Sequence, residues 1–260
     1  MNKTTFVAVA ALAAALAAAP ARAGVVITQT QTANGQFGQR KSDTTIMVQG
    51  NKQKMVTNDR VVITDLDSGA MYLIDPAQNS YIKLPFPPTG AMASMAHAGG
   101  APDFKKESTS RKVLGYSCND YSGTGSSMGG DYTVTECFST SAPGAKEFTA
   151  FQKAMGAKLK GVVPSSNLPD GIPLASDSTV KMNTMRIPNL TPEQQQKLAA
   201  QMANMKPVVT HTEVTKVEEQ KLPADTFAVP AGYTERKMNM PMGGGMIGHG
   251  APAAAPSPAH

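Results

Sequence analysis

The sequence predicts a mainly antiparallel β domain of the α+β class, exported and held by one disulfide. Three observations predict it. Short alternating segments separated by turn residues fill most of residues 25–139. Two stretches with a 3.6-residue apolar period follow. A short apolar run at the N-terminus precedes a small-residue cleavage pattern. Close, regular strand spacing favours hairpins, because antiparallel neighbours need only a few linking residues.

The N-terminus reads as a signal peptide over residues 1–23. Lys3 supplies the positive end, Phe6 to Ala19 the apolar run, Pro20 the break and Ala21-Arg22-Ala23 the cleavage site. The run is shorter than the ~20 residues a membrane span needs. No Cys follows the cleavage site to carry a lipid anchor. The mature chain is therefore expected to begin at Gly24 and to be soluble, periplasmic or secreted. Its formal charge falls from +5 to +3 with loss of Lys3 and Arg22. That surplus does not point to nucleic acid, and Trp is absent.

The elements follow in order. Val25 to Thr32 and Phe37 to Val48 alternate as strands, the second ending at Gln49-Gly50-Asn51. Lys52 to Thr57 and Arg60 to Leu66 flank an Asn58-Asp59 turn. In the latter strand, Val61 and Ile63 share one face while Val62, Thr64 and Leu66 share the other, so it is expected to be covered on both sides. Asp67-Ser68-Gly69 turns into Met71 to Ile74, and Asn79-Ser80 precedes Tyr81 to Leu84. Residues 85–102 are rich in Pro, Gly, Ala and Met and read as a flexible loop or flap. Strands resume at Phe104 to Leu114, Tyr116 to Ser122 and Asp131 to Ser139, with Gly123 to Gly130 as a long hairpin loop.

The two cysteines, Cys118 and Cys137, make an even count in an exported chain and read as a bridge between the last two of these strands. Closing a loop of this size stabilises by roughly 3 kcal/mol in the chain-entropy treatment. In Ala145 to Lys160, the residues Phe148, Phe151, Met155 and Leu159 fall on one side of a helix. A second helix starts with Thr191 as cap, Pro192 in the first turn and Gln194 completing a capping box; its stripe is Leu198, Met202 and Met205. Both stripes are expected to pack in the core. Val208 to Lys221 reads as a long strand, and Pro230-Ala231-Gly232-Tyr233 as the end of a domain spanning residues 24–237. Residues 238–260, rich in Met, Gly, Pro and Ala, are expected to be disordered.

Several motifs occur in shared order: Gly50-Asn51-Lys52-Gln53-Lys54-Met55, Val61-Val62-Ile63-Thr64-Asp65, Met71-Tyr72-Leu73-Ile74-Asp75, Gly115-Tyr116-Ser117-Cys118 with Asn119-Asp120-Tyr121, Gly171-Ile172-Pro173-Leu174, and Phe227-Ala228-Val229-Pro230-Ala231-Gly232-Tyr233. This order resembles the bacterial exported family catalogued as domain of unknown function 4412, which is similar in fold to periplasmic lipoprotein carriers of the LolA/LolB type. The resemblance implies an incomplete (half) barrel curved around helices, with an apolar concave face, and it points to binding rather than chemistry. The resemblance carries over no specific lipid-contact residue; because an incomplete barrel has to cover its concave face with helices or with ligand, the helix bearing Phe148, Phe151 and Met155 is the expected plug and ligand-lining element. A lipid, lipoprotein or other apolar ligand is the expected partner, with peripheral envelope contact and no cofactor.

Chemistry-bearing patterns are few. Gly125-Ser126-Ser127-Met128-Gly129 matches G-x-S-x-G, but a nucleophile elbow needs a strand, a strained turn and a helix, with a His to take the proton. No enzyme is expected. Asp65-Leu66-Asp67-Ser68-Gly69 resembles the start of a calcium loop yet lacks its glycine and its closing glutamate, and a hairpin turn explains it better. His211 and Glu213 share a strand face without a third ligand nearby. Met238, Met240, Met242, Met246 and His249 in the tail carry soft ligands that suit Cu(I), and Met92, Met95 and His97 repeat the pattern in the 85–102 segment. A copper-handling protein is thus the alternative to the carrier, and a non-catalytic envelope structural protein is a further one.

Overall fold

The computed structural model describes residues 23–36, 38–58, 60–90, 92–93, 102–127, 130–162, 167–182, 191–203 and 205–237. The strands are β1 (Gly24–Gly35), β2 (Gly38–Gln49), β3 (Lys52–Thr57), β4 (Arg60–Asp65), β5 (Ala70–Asp75), β6 (Ser80–Pro85), β7 (Lys105–Val113), β8 (Tyr116–Ser127), β9 (Gly130–Ser139), β10 (Ile172–Lys181), β11 (Val208–Gln220) and β12 (Thr234–Glu235). Helix α1 spans Ala145–Leu159 and α2 spans Pro192–Ala203.

All the strands form one open, curved sheet in the order β12-β6-β5-β4-β3-β2-β1-β11-β10-β9-β8-β7. Two meanders, β1 to β6 and β7 to β11, are thus joined by the antiparallel β1·β11 pair. That pairing runs from Gly24↔Gln220 to Asn34↔Val209 with a bulge at Thr28/Gln29. The short β12 is parallel to β6 and caps that edge, with the Thr234 and Arg236 N–H groups donating to the Asn79 and Tyr81 carbonyls. At the other edge, β7 is almost wholly exposed and carries Lys105, Lys106, Arg111 and Lys112, charges that discourage edge-to-edge pairing.

The N-terminal meander follows the sequence pattern closely. Strand β4 is covered on both sides at its end, since Ile63 and Thr64, on opposite faces, are both buried. The Asp65 segment is a hairpin turn, in which the Asp67 and Ser68 N–H groups donate to the Asp65 carboxylate. Burial works against the charge on Asp65, but the Ser68 N–H, Lys52 and the Asp67 N–H together hold its carboxyl below the usual range.

Two expectations need correcting, and one strand has no counterpart among the expected elements. Gly123 to Gly130 is not a long loop: β8 runs to Ser127 and β9 starts at Gly130. The glycines are there for close packing. A Cβ on Gly123 would lie 2.8 Å from Pro102 Cβ, and one on Gly125 would lie 2.4 Å from Tyr132 Oη. Next, residues Ile172–Lys181 form a central strand, β10, that lacks the alternation of a half-buried strand. Finally, α2 has its capping box, with the Thr191 N–H donating to Gln194 Oε1 (2.9 Å) and the Gln194 N–H to Thr191 Oγ1 (3.3 Å). Yet none of its described side chains is buried, and Leu198 and Met202 are only half-buried.

The main core gathers around α1. Val25 and Ile27 of β1, Val48 of β2, Ile172 and Leu174 of β10 and Val214 of β11 pack with Phe148 and Phe151, and the Cys118–Cys137 disulfide belongs to the same cluster. Polar contacts fix the helix in place. Glu147 accepts from the Gly50 N–H at the β2–β3 turn, and Thr149 Oγ1 accepts from the Gly171 N–H just before β10 (2.8 Å). The cap Gly144 has φ +71° and sits against Val25, where a Cβ would come within 2.5 Å of the Val25 Cβ. A second cluster, Phe104, Val134 and Phe138 with Tyr121 and Tyr132, covers β8 and β9; Phe138 meets Phe104 and Tyr121 edge-on at 5.7 and 5.6 Å.

Candidate functional site

Residues directly opposite in adjacent strands share a sheet face. One row therefore runs Gly125–Tyr132–Val180–Val208, a second Gly123–Val134–Ser178–Thr210–Ala33–Arg40, and a third Tyr121–Glu136–Ser176–Thr212–Gln31–Ser42. These rows lie on the face that bears the second aromatic cluster. Alternate residues place Asp177, His211 and Glu213 on the reverse face. The two faces differ in chemistry. The reverse face carries a charged strip in which Arg111 pairs with Asp120 (3.0 Å) and reaches Asp177 (3.8 Å), while His211 contacts Asp177 (2.6 Å) and Glu213 (3.8 Å). These side chains, Asp120 apart, are substantially exposed, so the strip is a solvated ion-pair network of small energetic weight.

The aromatic face holds a half-buried carboxyl, that of Glu136. Burial pushes Glu136 up from the usual carboxylate range, against the opposing hydrogen bond from Ser176 Oγ (3.3 Å). Its contribution to stability is therefore fully present below the unfolded-state value and is lost as pH rises through the raised native value. Glu136→Gln keeps the shape and removes the half-buried charge. The variant should melt a few degrees higher than the parent at pH 8 and no higher at pH 4, by differential scanning calorimetry. An equal effect at both pH values would refute the assignment.

Three cavities can be described. One, of about 240 Å³, lies on the aromatic face at the end of the β1–β2 hairpin, between Ala33, Val208, Met182 and Met205. A larger one, of about 540 Å³, is lined by Thr124, Ser126, Thr133, Thr179 and Lys181 around Tyr132 and is mostly polar in its side chains. The third, of about 380 Å³, lies on the outer side of α1 beside the Lys153–Asp170 ion pair (2.8 Å). Phe148, Phe151 and Met155 line none of these three: Phe148 and Phe151 are buried in the main core and Met155 packs against it. The apolar cavity is instead built from Ala33, Met182, Met205 and Val208, residues dispersed along the sequence that no local motif brings together. The half-buried alternation of Val208 with Thr210 and Thr212 was the available signal.

Ser127, the serine of the G-x-S-x-G match, is the last residue of β8 at the β8–β9 hairpin, followed by a strand rather than the helix of a nucleophile elbow, and its neighbour Ser126 donates to Asp131 (2.6 Å). Among the described residues, no group of three or more His, Cys, Asp or Glu side chains could hold a metal. Met238, Met240, Met242, Met246 and His249 lie outside the described residues, as do Met95 and His97, and Met92 is half-buried. The signal-peptide residues 1–22 also lie outside them. No described helix is long and apolar enough to cross a membrane.

No family model matches the chain, so its likeness to the exported family rests on the motifs alone. No curated protein matches it either. Among solved structures, it is similar to PNGF-II in a C2 crystal form, at 12% identity and a TM-score of 0.41, over 83% of this chain and 31% of that one. It thus spans about a third of the length of that protein. It is similar also to a putative outer membrane lipoprotein-sorting protein domain from Vibrio parahaemolyticus, at 8% identity and a TM-score of 0.32, over 79% and 89% of the two chains. A LolA superfamily protein from Nitrosomonas europaea aligns at 8% identity and a TM-score of 0.29, over 80% and 90%. At these scores the likeness assigns neither a family nor a function.

Proposed function

We propose that this chain is an exported binding or carrier protein for a lipid, lipoprotein or other apolar ligand, and that it binds rather than catalyses. The observation that carries the reading is the cavity between Ala33, Val208, Met182 and Met205, which lies on the aromatic face of an open sheet. A closed small barrel fills its interior with side chains, whereas an open sheet has to cover its inner face with other elements or with a guest. Methionine suits a surface that repacks around different guests. Burying ligand methylenes at ~0.8 kcal/mol each makes an alkyl chain a useful partner even for a small site. Export is supported by the N-terminal apolar run and by the start of β1 at Gly24, the residue after the expected cleavage site.

The test is a titration of delipidated protein with an environment-sensitive acyl probe. Saturable binding is expected. Met205→Glu should weaken it about tenfold, the equivalent of ~1.4 kcal/mol, with circular dichroism unchanged. Well-folded, delipidated protein that binds no probe would end the carrier reading.

A further inference from the structure

We infer that the preferred ligand is a single-chain anionic amphiphile, its alkyl chain held between Met182, Met205 and Val208 and its acid group by Arg40 and Lys206. This rests on the carrier reading and adds the ligand's charge and chain number to it. Three observations support it. First, Arg40 and Lys206 both line the apolar cavity, and its described lining includes no carboxylate. Arg40 is placed there by the β1–β2 register, opposite Ala33. Lys206 follows Met205, just before β11. Second, neither cation makes an ion pair among the described residues, a state they share with most of the described Lys and Arg side chains but hold here beside an apolar cavity. The two charges are thus exposed at the mouth of an apolar cavity, with no partner carboxylate among the described residues. Third, the cavity of about 240 Å³ falls below the ~300–1,000 Å³ typical of sites for drug-sized ligands. It suits part of one alkyl chain and not a two-chain lipid.

The geometry separates the two ends of such a ligand. The chain meets thioethers and a β-branched side chain, surfaces that offer it no hydrogen bond. The acid group meets a guanidinium, which can engage a carboxylate or phosphate with two parallel donors, and an ammonium that acts as a point charge. A neutral amphiphile of the same length gains the first contact and loses the second. A cationic one is repelled at the mouth.

Calorimetric titration of the full mature chain with myristate, tetradecanol and tetradecyltrimethylammonium, each below its aggregation limit, tests this. Myristate should bind about tenfold more tightly than tetradecanol, and the ammonium compound more weakly than either. The myristate preference should shrink as salt is raised, because the mouth is solvent-exposed. In the Arg40→Gln/Lys206→Gln double variant, both exposed positions, the ratio of the two affinities should fall to about one, with circular dichroism confirming the fold. Equal affinities in the parent, or a preference that survives in the double variant, would overturn the charge assignment while leaving an apolar carrier. Absence of binding by all three compounds would instead remove the carrier reading itself.

Discussion

Phe151→Ala should lower the stability of the domain by about 3–5 kcal/mol, the usual cost of deleting a fully buried aromatic ring. Phe151 is 0% exposed and belongs to the cluster formed by β1, β2, β10, β11 and the disulfide. The ring sits on a helix anchored through Glu147 and Thr149, so the surrounding backbone has little freedom to collapse into the space left behind. Urea denaturation should show a large drop in midpoint with little change in slope. The same experiment decides what α1 does. A ring lining an open cavity already has a free side, and its truncation would enlarge that cavity at a cost nearer 1 kcal/mol. A loss that small would return Phe151 to the list of candidate ligand contacts. Met155→Ala is a useful companion, because Met155 is only partly buried and its loss should cost clearly less.

The N-terminal meander was legible because each strand alternates and each turn carries Asn, Asp, Gly or Ser at the position that needs it. Asn58, Asn79 and Gly69 do adopt the positive φ that such turns require. The start of α2 was legible for a similar reason, since a capping box is a local arrangement of side chain and backbone. What could not be read was anything set by distant pairing. Strand β10 places Ser176, Asp177, Ser178 and Thr179 in the middle of the sheet, a polar run with no strand signal of its own that is held there by pairing with β9 and β11. The glycines of β8 read as a flexible link, yet they let Pro102 and Tyr132 lie against the strand. The binding face had the same problem. Ala33, Arg40, Met182, Lys206 and Val208 meet because β1 pairs with both β2 and β11, and β11 in turn with β10. The sequence pointed to Phe148, Phe151 and Met155 because their helical period is visible within one turn or two, and a core stripe and a ligand-lining stripe have the same period.

Removing the Cys118–Cys137 bridge should also cost on the order of 3 kcal/mol, and by a different route. The bridge joins neighbouring strands that are already hydrogen-bonded, with Asp120 directly opposite Cys137 and Cys118 one step along the same face. It therefore adds little to the geometry of the folded sheet. Its main effect is on the unfolded chain, where it closes a loop spanning a separation of 19 residues and removes conformations that the open chain would gain. Both cysteines are buried in the main core, at 2% and 0% exposure, so Cys118→Ala/Cys137→Ala is the cleaner variant: serine would bury two hydroxyls in an apolar cluster. The double-alanine protein should keep its β-rich circular dichroism. Its urea midpoint should fall, and its denaturant slope should rise, because an unbridged chain exposes more surface on unfolding. Phe151→Ala should shift the midpoint without the rise in slope, so the two variants can be told apart by slope even where their costs are alike. An unchanged midpoint after removal of both sulfurs, or ready thiol labelling of the folded parent without reductant, would rule out a stabilising bridge.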